Sequence, residues 1–154
     1  MTDSANWLSA DEQHAWRSFV RLHERLGGRL SRLLQTESDL SAADFAVLVN
    51  LTDVPEGRLR YQDLARVLEW EMSRTSHHIS RMARRGLVVR EECIEDGRGA
   101  FVVITEAGRA AIEAAAPEHV KAVRSLFLDH VTPAELRVLG AISERVVAKL
   151  DEEA

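Results

Sequence analysis

Seven side chains in one short stretch, Ser73, Arg74, Ser76, His77, Ser80, Arg81 and Arg84, are of types whose chemistry suits the edges of base pairs. On a helical wheel they share one face, while Thr75, Ile79 and Met82 share the opposite one. A guanidinium can give two parallel hydrogen bonds to guanine O6 and N7. A hydroxyl serves several bases, and an imidazole can donate to an acceptor edge. Residues early in such a helix reach bases, and later ones hold phosphates. Base contact is therefore expected from Arg74, Ser76 and His77, with Ser73 close by, and backbone contact from Arg81 and Arg84. The plainer reading is a solvated helix face that merely carries arginines. The flanking elements weigh against it.

Charge alone does not decide the matter, because the chain carries a net −5. Between residues 66 and 90, however, six arginines (66, 74, 81, 84, 85 and 90) face two acids, Glu69 and Glu71, a local +4 that leaves −9 for the remainder. Only the contacting face of a DNA reader must neutralise phosphate, so an acidic body with one basic stretch is compatible with that role.

The elements around this stretch follow from periodicity and punctuation. Residues 11–35 carry an apolar helical stripe (Ala15, Trp16, Phe19, Val20, Leu26, Leu30, Leu33, Leu34), interrupted by Gly27-Gly28, which suggests a close helix contact or a bend. Ser41 caps a second helix with Asp44 as the acid of its capping box, and Pro55-Glu56-Gly57 ends it. Arg58-Leu59-Arg60 fits a very short strand. A third helix spans residues 62–68 without a good cap, and a fourth spans 72–85, stopped by Gly86. Residues 87–94 and 100–105, rich in Val, Ile and Phe, flank Asp96-Gly97 and predict a β-hairpin. Thr105 caps a fifth helix, expected to break or kink near Pro117. Thr132-Pro133-Ala134-Glu135 opens a sixth, whose stripe is Leu136, Leu139, Ile142, Val146 and Leu150.

A short helix, a tight turn, an Arg-rich helix and a two-stranded hairpin form the winged helix-turn-helix order. The fold class expected is mainly α with a small β-hairpin wing. The sequence divides into an N-terminal dimerisation helix (1–40), a winged helix-turn-helix DNA-binding domain (41–105) and C-terminal dimerisation helices (106–154). The stripes of the first, fifth and sixth helices exceed what one small domain buries, so a two-fold homodimer is expected.

Four motifs make the resemblance specific: Leu64-Ala65; the run Ile79-Ser80-Arg81-Met82-Ala83-Arg84-Arg85-Gly86-Leu87-Val88-Val89-Arg90; Asp96-Gly97-Arg98; and Ile104-Thr105-Glu106-Ala107-Gly108. In order and spacing they resemble the MarR family of transcriptional regulators, with Ile104 where the family has Leu. The run from Trp70 to His78 resembles an actinobacterial variant. The resemblance implies a cytoplasmic, sequence-specific transcriptional regulator, a repressor, binding a pseudo-palindromic operator on double-stranded DNA as a homodimer. It also implies that Arg98 at the wing tip enters the minor groove and that Asp96 orients it by a salt bridge; a narrow minor groove favours an arginine by its negative potential. Glu91, Glu92 and Glu95 depart from that picture. Beside a phosphate they would repel it, so they are expected to point away or to weaken non-specific binding.

Other chemistries find less support. Adjacent helical histidines such as His77 and His78 point about 100° apart and do not chelate together, so no metal site is expected. The lone Cys93 excludes an intramolecular disulfide and suits a reducing compartment. Family thiols that sense oxidants, by resemblance, lie in the first helix, so Cys93 is taken as an inert strand residue. No nucleophile elbow, phosphate-binding Gly loop or paired carboxylate occurs; neither an enzyme nor a cofactor is expected. The first residues lack a basic and apolar leader pattern, which argues against secretion, and no apolar run reaches the length of a membrane span. Trp7, Trp16 and Phe19 have two readings: a pocket for a small aromatic effector, or, preferred, an aromatic dimer interface. A winged-helix module that binds protein rather than DNA is the alternative function, but such an interface favours large aromatic anchors over Ser and His.

Overall fold

Three helices open on the same device, a hydroxyl that accepts from the third helical amide while an acid reaches back. Ser9 with Glu12 starts α1 (Ala10–Glu37), Ser41 with Asp44 starts α2 (Ala42–Thr52), and Thr132 with Glu135 starts α6 (Pro133–Glu152). Thr105 caps α5 (Glu106–Leu126) through the Gly108 amide. Between them lie β1 (Arg58–Arg60), α3 (Tyr61–Leu68), α4 (Met72–Arg84), β2 (Val88–Glu92) and β3 (Ala100–Ile104). These elements come from a computed structural model describing residues 7–93 and 99–153.

The sheet order is β1-β3-β2, antiparallel throughout, with Val88 opposite Ile104, Glu92 opposite Ala100 and Leu59 opposite Val102. Alternation along β3 buries Ala100, Val102 and Ile104 on one face. That face closes over Val47, Leu48 and Leu51 of α2, Leu64 of α3, and Ile79 and Met82 of α4. The core therefore clamps α4 from behind and leaves its other side open. Leu34 from α1 and Ile112 and Ala115 from α5 join the same cluster.

Two expectations need narrowing. Helix α5 runs without a break through Pro117. Proline forfeits one backbone hydrogen bond, but it does so at an exposed position, while Ile112 and Ala115 pin the preceding turns to the core. Gly27-Gly28 likewise sits within continuous helix. A Cβ at Gly27 would meet nothing within 4 Å, and one at Gly28 only the Arg32 guanidinium at 3.7 Å, so the pair permits no close contact inside the chain. A short 3-10 turn, Leu128–His130, links α5 to α6 and was not anticipated.

Helix α6 buries none of its residues, and Leu136, Ile142, Val146 and Leu150 all stand exposed. On α1, Trp16, Phe19 and Leu22 are exposed as well. These side chains have no partner among the described residues of the chain that buries them.

Candidate nucleic-acid interface

The turn into α4 is tight because Glu69 adopts the left-handed conformation (φ 53°), which lets the Trp70 amide donate to the Ala65 carbonyl at 2.9 Å and close α3. Helix α4 then begins without a side-chain cap and without an acid in its first turn. Its N-cap is Glu71, whose carboxylate makes no cap hydrogen bond, so the opening amides have no side-chain partner among the described residues. Gly86 (φ 77°) ends the helix, with the Leu87 amide donating back to the Met82 carbonyl at 3.1 Å.

All seven of the candidate contact residues, Ser73, Arg74, Ser76, His77, Ser80, Arg81 and Arg84, are exposed, whereas Thr75, His78, Ile79 and Met82 are buried. The adjacent histidines thus divide, His77 outward and His78 inward. The Arg74 guanidinium lies 4.3 Å from the Trp70 ring centroid, a cation–π contact that holds it at the start of the helix. An Arg84 N–H donates weakly to the Ser80 carbonyl at 3.4 Å. An Arg81 N–H donates to His78 Nδ1 at 3.1 Å.

Behind this face lies a polar cluster that residue patterns had not singled out. Asp44, the capping acid of α2, is 2% exposed. Its Oδ2 accepts from the Ser41 amide at 3.0 Å and from Arg85 Nη1 at 2.6 Å. Its Oδ1 lies 2.9 Å from His78 Nε2, an ion-pair distance, although the angle is not that of a well-aligned hydrogen bond. Arg85 also donates to the Asp39 carbonyl. Burial pushes the Asp44 carboxyl up, but the Arg85 hydrogen bond, the Ser41 amide and the neighbouring positive charge together hold it below its ordinary value. For His78, burial pushes the ring down and Asp44 pulls it up; Arg81 and Arg74 add to the lowering, which prevails. A signal for this cluster existed in the sequence, since His78 falls on the Thr75–Met82 face and a buried imidazole needs a polar partner.

In the wing, Glu91 and Glu92 each have a cationic partner, although Arg58 is shared between Glu91 and Glu56. Glu91 pairs with Arg58 at 2.8 Å and Glu92 with Arg90 at 2.8 Å. Arg58 and Arg60 both lie over the Phe101 ring. Asp96 and Arg98, Glu95 and the Asp-Gly tip fall outside the described residues. Cys93 is half-buried just past the end of β2, not within the strand, and its amide faces the Gly99 carbonyl at 3.4 Å.

A cavity of about 250 Å³ lies between α1 and α5, lined by Leu30, Leu33, Leu34, Ala115, His119 and Ala122 among others. His119 packs at a tilt against Phe45, with ring centroids 4.5 Å apart, and burial lowers its ring's affinity for a proton. Trp7, Trp16 and Phe19 do not line this cavity. They stand exposed toward the free end of α1, with Trp16 and Phe19 in mutual ring contact at 5.8 Å. Helix α1 also bears a second basic ridge overlooked in the charge count: Arg17, Arg21, Arg25, Arg29 and Arg32 share its outer side. Among the described residues no cluster of three metal-ligating side chains occurs, and no helix is long and apolar enough to cross a membrane.

Comparison with known proteins agrees with this geometry. A family model described as MarR family matches residues 38–99, which run from the start of α2 into the β2–β3 connection. The chain is similar to Sco3205 of Streptomyces coelicolor, a MarR family transcriptional regulator whose crystal structure is in complex with DNA: 37% identity, 96% of this chain and 91% of that one covered, TM-score 0.86. It is similar to AbsC, a MarR family transcriptional regulator of the same organism, at 36% identity, covering 96% and 99% of the two chains with a TM-score of 0.87. An HTH-type transcriptional regulator of Bacillus cereus is 26% identical over 131 residues, 85% of each chain. The mainly helical architecture, the three-stranded wing and these likenesses together establish that the chain belongs to the MarR family, whose members are transcription regulators and not enzymes.

Proposed function

We propose that this regulator is a sequence-specific repressor acting in the cytoplasm, which binds a pseudo-palindromic operator as a homodimer. The observation that carries the reading is the polarity of α4: a face of Ser, His and Arg stands open to solvent while the opposite face is locked in the core. Arg74, Ser76 and His77, beside Ser73 and Ser80, reach base edges, and Arg81 and Arg84 hold phosphates. Arg98, oriented by Asp96, supplies the wing contact. That Sco3205 was crystallised with DNA supports the same use of the fold here.

The dimer rests on the uncovered surfaces of α1 and α6. Residues 1–40 and 106–154 form the dimerisation part, with Trp16 and Phe19 at the interface, and residues 41–105 form the DNA-reading part. A small aromatic effector fits the cavity between α1 and α5, whose lining belongs to the dimerisation part, better than the exposed end of α1. Selection of bound fragments from random DNA, with light scattering on the purified protein, tests the whole reading. The expected outcome is a dimer and a two-fold site with half-sites about 10–10.5 bp apart. A monomer at micromolar concentration, or no enriched sequence, would overturn it.

A further inference from the structure

His78 is a recognition-helix residue that cannot touch DNA, since its side chain is only 10% exposed. Its ring bridges two groups of opposite demand. A guanidinium has N–H donors and no acceptor, so the 3.1 Å contact from Arg81 requires a lone pair on Nδ1. A neutral imidazole with that lone pair carries its proton on Nε2, the atom facing Asp44 Oδ1 at 2.9 Å. The tautomer is therefore set by the Arg81 contact, while Nε2 lies at ion-pair distance from Asp44 without a well-aligned hydrogen bond. Asp44 is itself held by the Ser41 amide and by Arg85, so the ring has a rigid anchor on α2.

Protonation changes only one side of this bridge. A cationic ring keeps its Asp44 contact, but Nδ1–H then confronts the N–H of Arg81, donor against donor and charge against charge. The ionisable groups around the ring are Asp44 on α2, Asp39 in the connection before it, Arg74 and Arg81 on α4, and Arg85 just beyond. Trp70 packs edge-on against it at 5.4 Å. Arg81 is exposed, so once repelled it has solvent to move into.

We propose that His78 is a positioning residue for Arg81: the neutral ring, anchored on Asp44, holds the guanidinium ready for DNA, and the protonated ring releases it. This deepens the proposed function, because it rests on Arg81 being a DNA contact. A long flexible cation held in place loses less freedom on binding than a free one, so release weakens affinity.

The test compares wild-type protein with His78→Gln, whose amide offers one acceptor and one donor and does not titrate; His78→Asn substitutes if the Gln chain does not fold. Affinity for the selected operator is measured across pH. The two proteins should bind alike at about pH 7.5, and wild type should fall about fivefold below the Gln variant once pH drops far enough to protonate the ring, which lies below the ordinary imidazole range. That gap should vanish when both also carry Arg81→Ala. Profiles that run parallel, or a gap that survives Arg81→Ala, overturn the positioning role. Ring-nitrogen chemical shifts of His78 in the DNA-free protein give an independent readout: an Nε2–H tautomer at neutral pH is expected, and an Nδ1–H tautomer contradicts the bridge. If Arg81→Ala alone leaves neutral-pH affinity unchanged, it is the assignment of Arg81 as a DNA contact that fails.

Discussion

Replacing Arg85 with alanine is expected to destabilise the fold by about 2–3 kcal/mol and to weaken its acid dependence. Asp44 is almost wholly buried, and Arg85 is the only full positive charge among the partners that the described structure gives it. Breaking a fully buried pair costs more, but Arg85 is 42% exposed, so solvent already shares its charge and the lower magnitude applies. In the wild type the Asp44 carboxyl sits below its ordinary 3.8. Its contribution is then fully present above that value and is lost as pH falls through the lower folded value. Without Arg85 the burial remains while the strongest opposing contact is gone, so the folded carboxyl binds a proton more readily than in the wild type. The stability that the wild type loses as pH falls through the lowered value is then smaller in the variant. Urea unfolding of both proteins at a series of pH values reads this directly. A variant with the wild-type midpoint, or one whose acid limb falls as the wild type's does, would show that the pair carries little.

Gly108→Ala is expected to cost about 3 kcal/mol or more, although alanine is the better helix former by about 1 kcal/mol. Gly108 occupies the third position of α5, where its amide donates to Thr105 Oγ1 at 3.0 Å. An added Cβ would stand 2.1 Å from the Leu87 carbonyl oxygen, 2.9 Å from Ile104 Cγ1 and 3.2 Å from the Leu87 carbonyl carbon. Two of these atoms are backbone and have no rotamer to change. Helix α5 would have to lift away from the start of β2, straining the Thr105 hydroxyl's bond to the Gly86 carbonyl (2.6 Å) and the Thr105 amide's bond to the Leu87 carbonyl (3.2 Å). Thermal unfolding should therefore drop by about 10 °C. A midpoint at or above that of the wild type would mean that α5 and β2 do not meet as closely as described.

These two positions also mark how far residue patterns reach. Gly108 was legible as part of a motif, but the Leu87 carbonyl that forbids a side chain there became apparent only once α5 was set against β2. The caps at Ser41, Thr105 and Thr132 were legible because each is satisfied within four residues. Asp44 was legible only as a cap. Its second role depends on Arg85, 41 positions away, and no local pattern encodes that distance. The wing acids show the same limit: Glu91 looked repulsive beside its neighbours, yet its partner Arg58 arrives from another strand, 33 positions away. Pro117 misled only as a helix end, since the anchorage of the preceding turns by Ile112 and Ala115 outweighs one missing hydrogen bond. The exposed face of α4 was fully legible, because helical periodicity alone separates Arg74 and His77 from Ile79 and Met82.

That face carries the central claim, and the ratio of affinities for the selected operator and for scrambled DNA tests it most directly. Arg74→Ala and His77→Ala should each lower this ratio about tenfold, since one good base contact contributes about 1–3 kcal/mol of discrimination. Arg98→Ala, measured alongside, should instead weaken binding to both DNAs alike and flatten the slope of log K against log salt by about one unit. If Arg74→Ala and His77→Ala both bind the two DNAs with the wild-type ratio, α4 does not read the bases and the account is wrong.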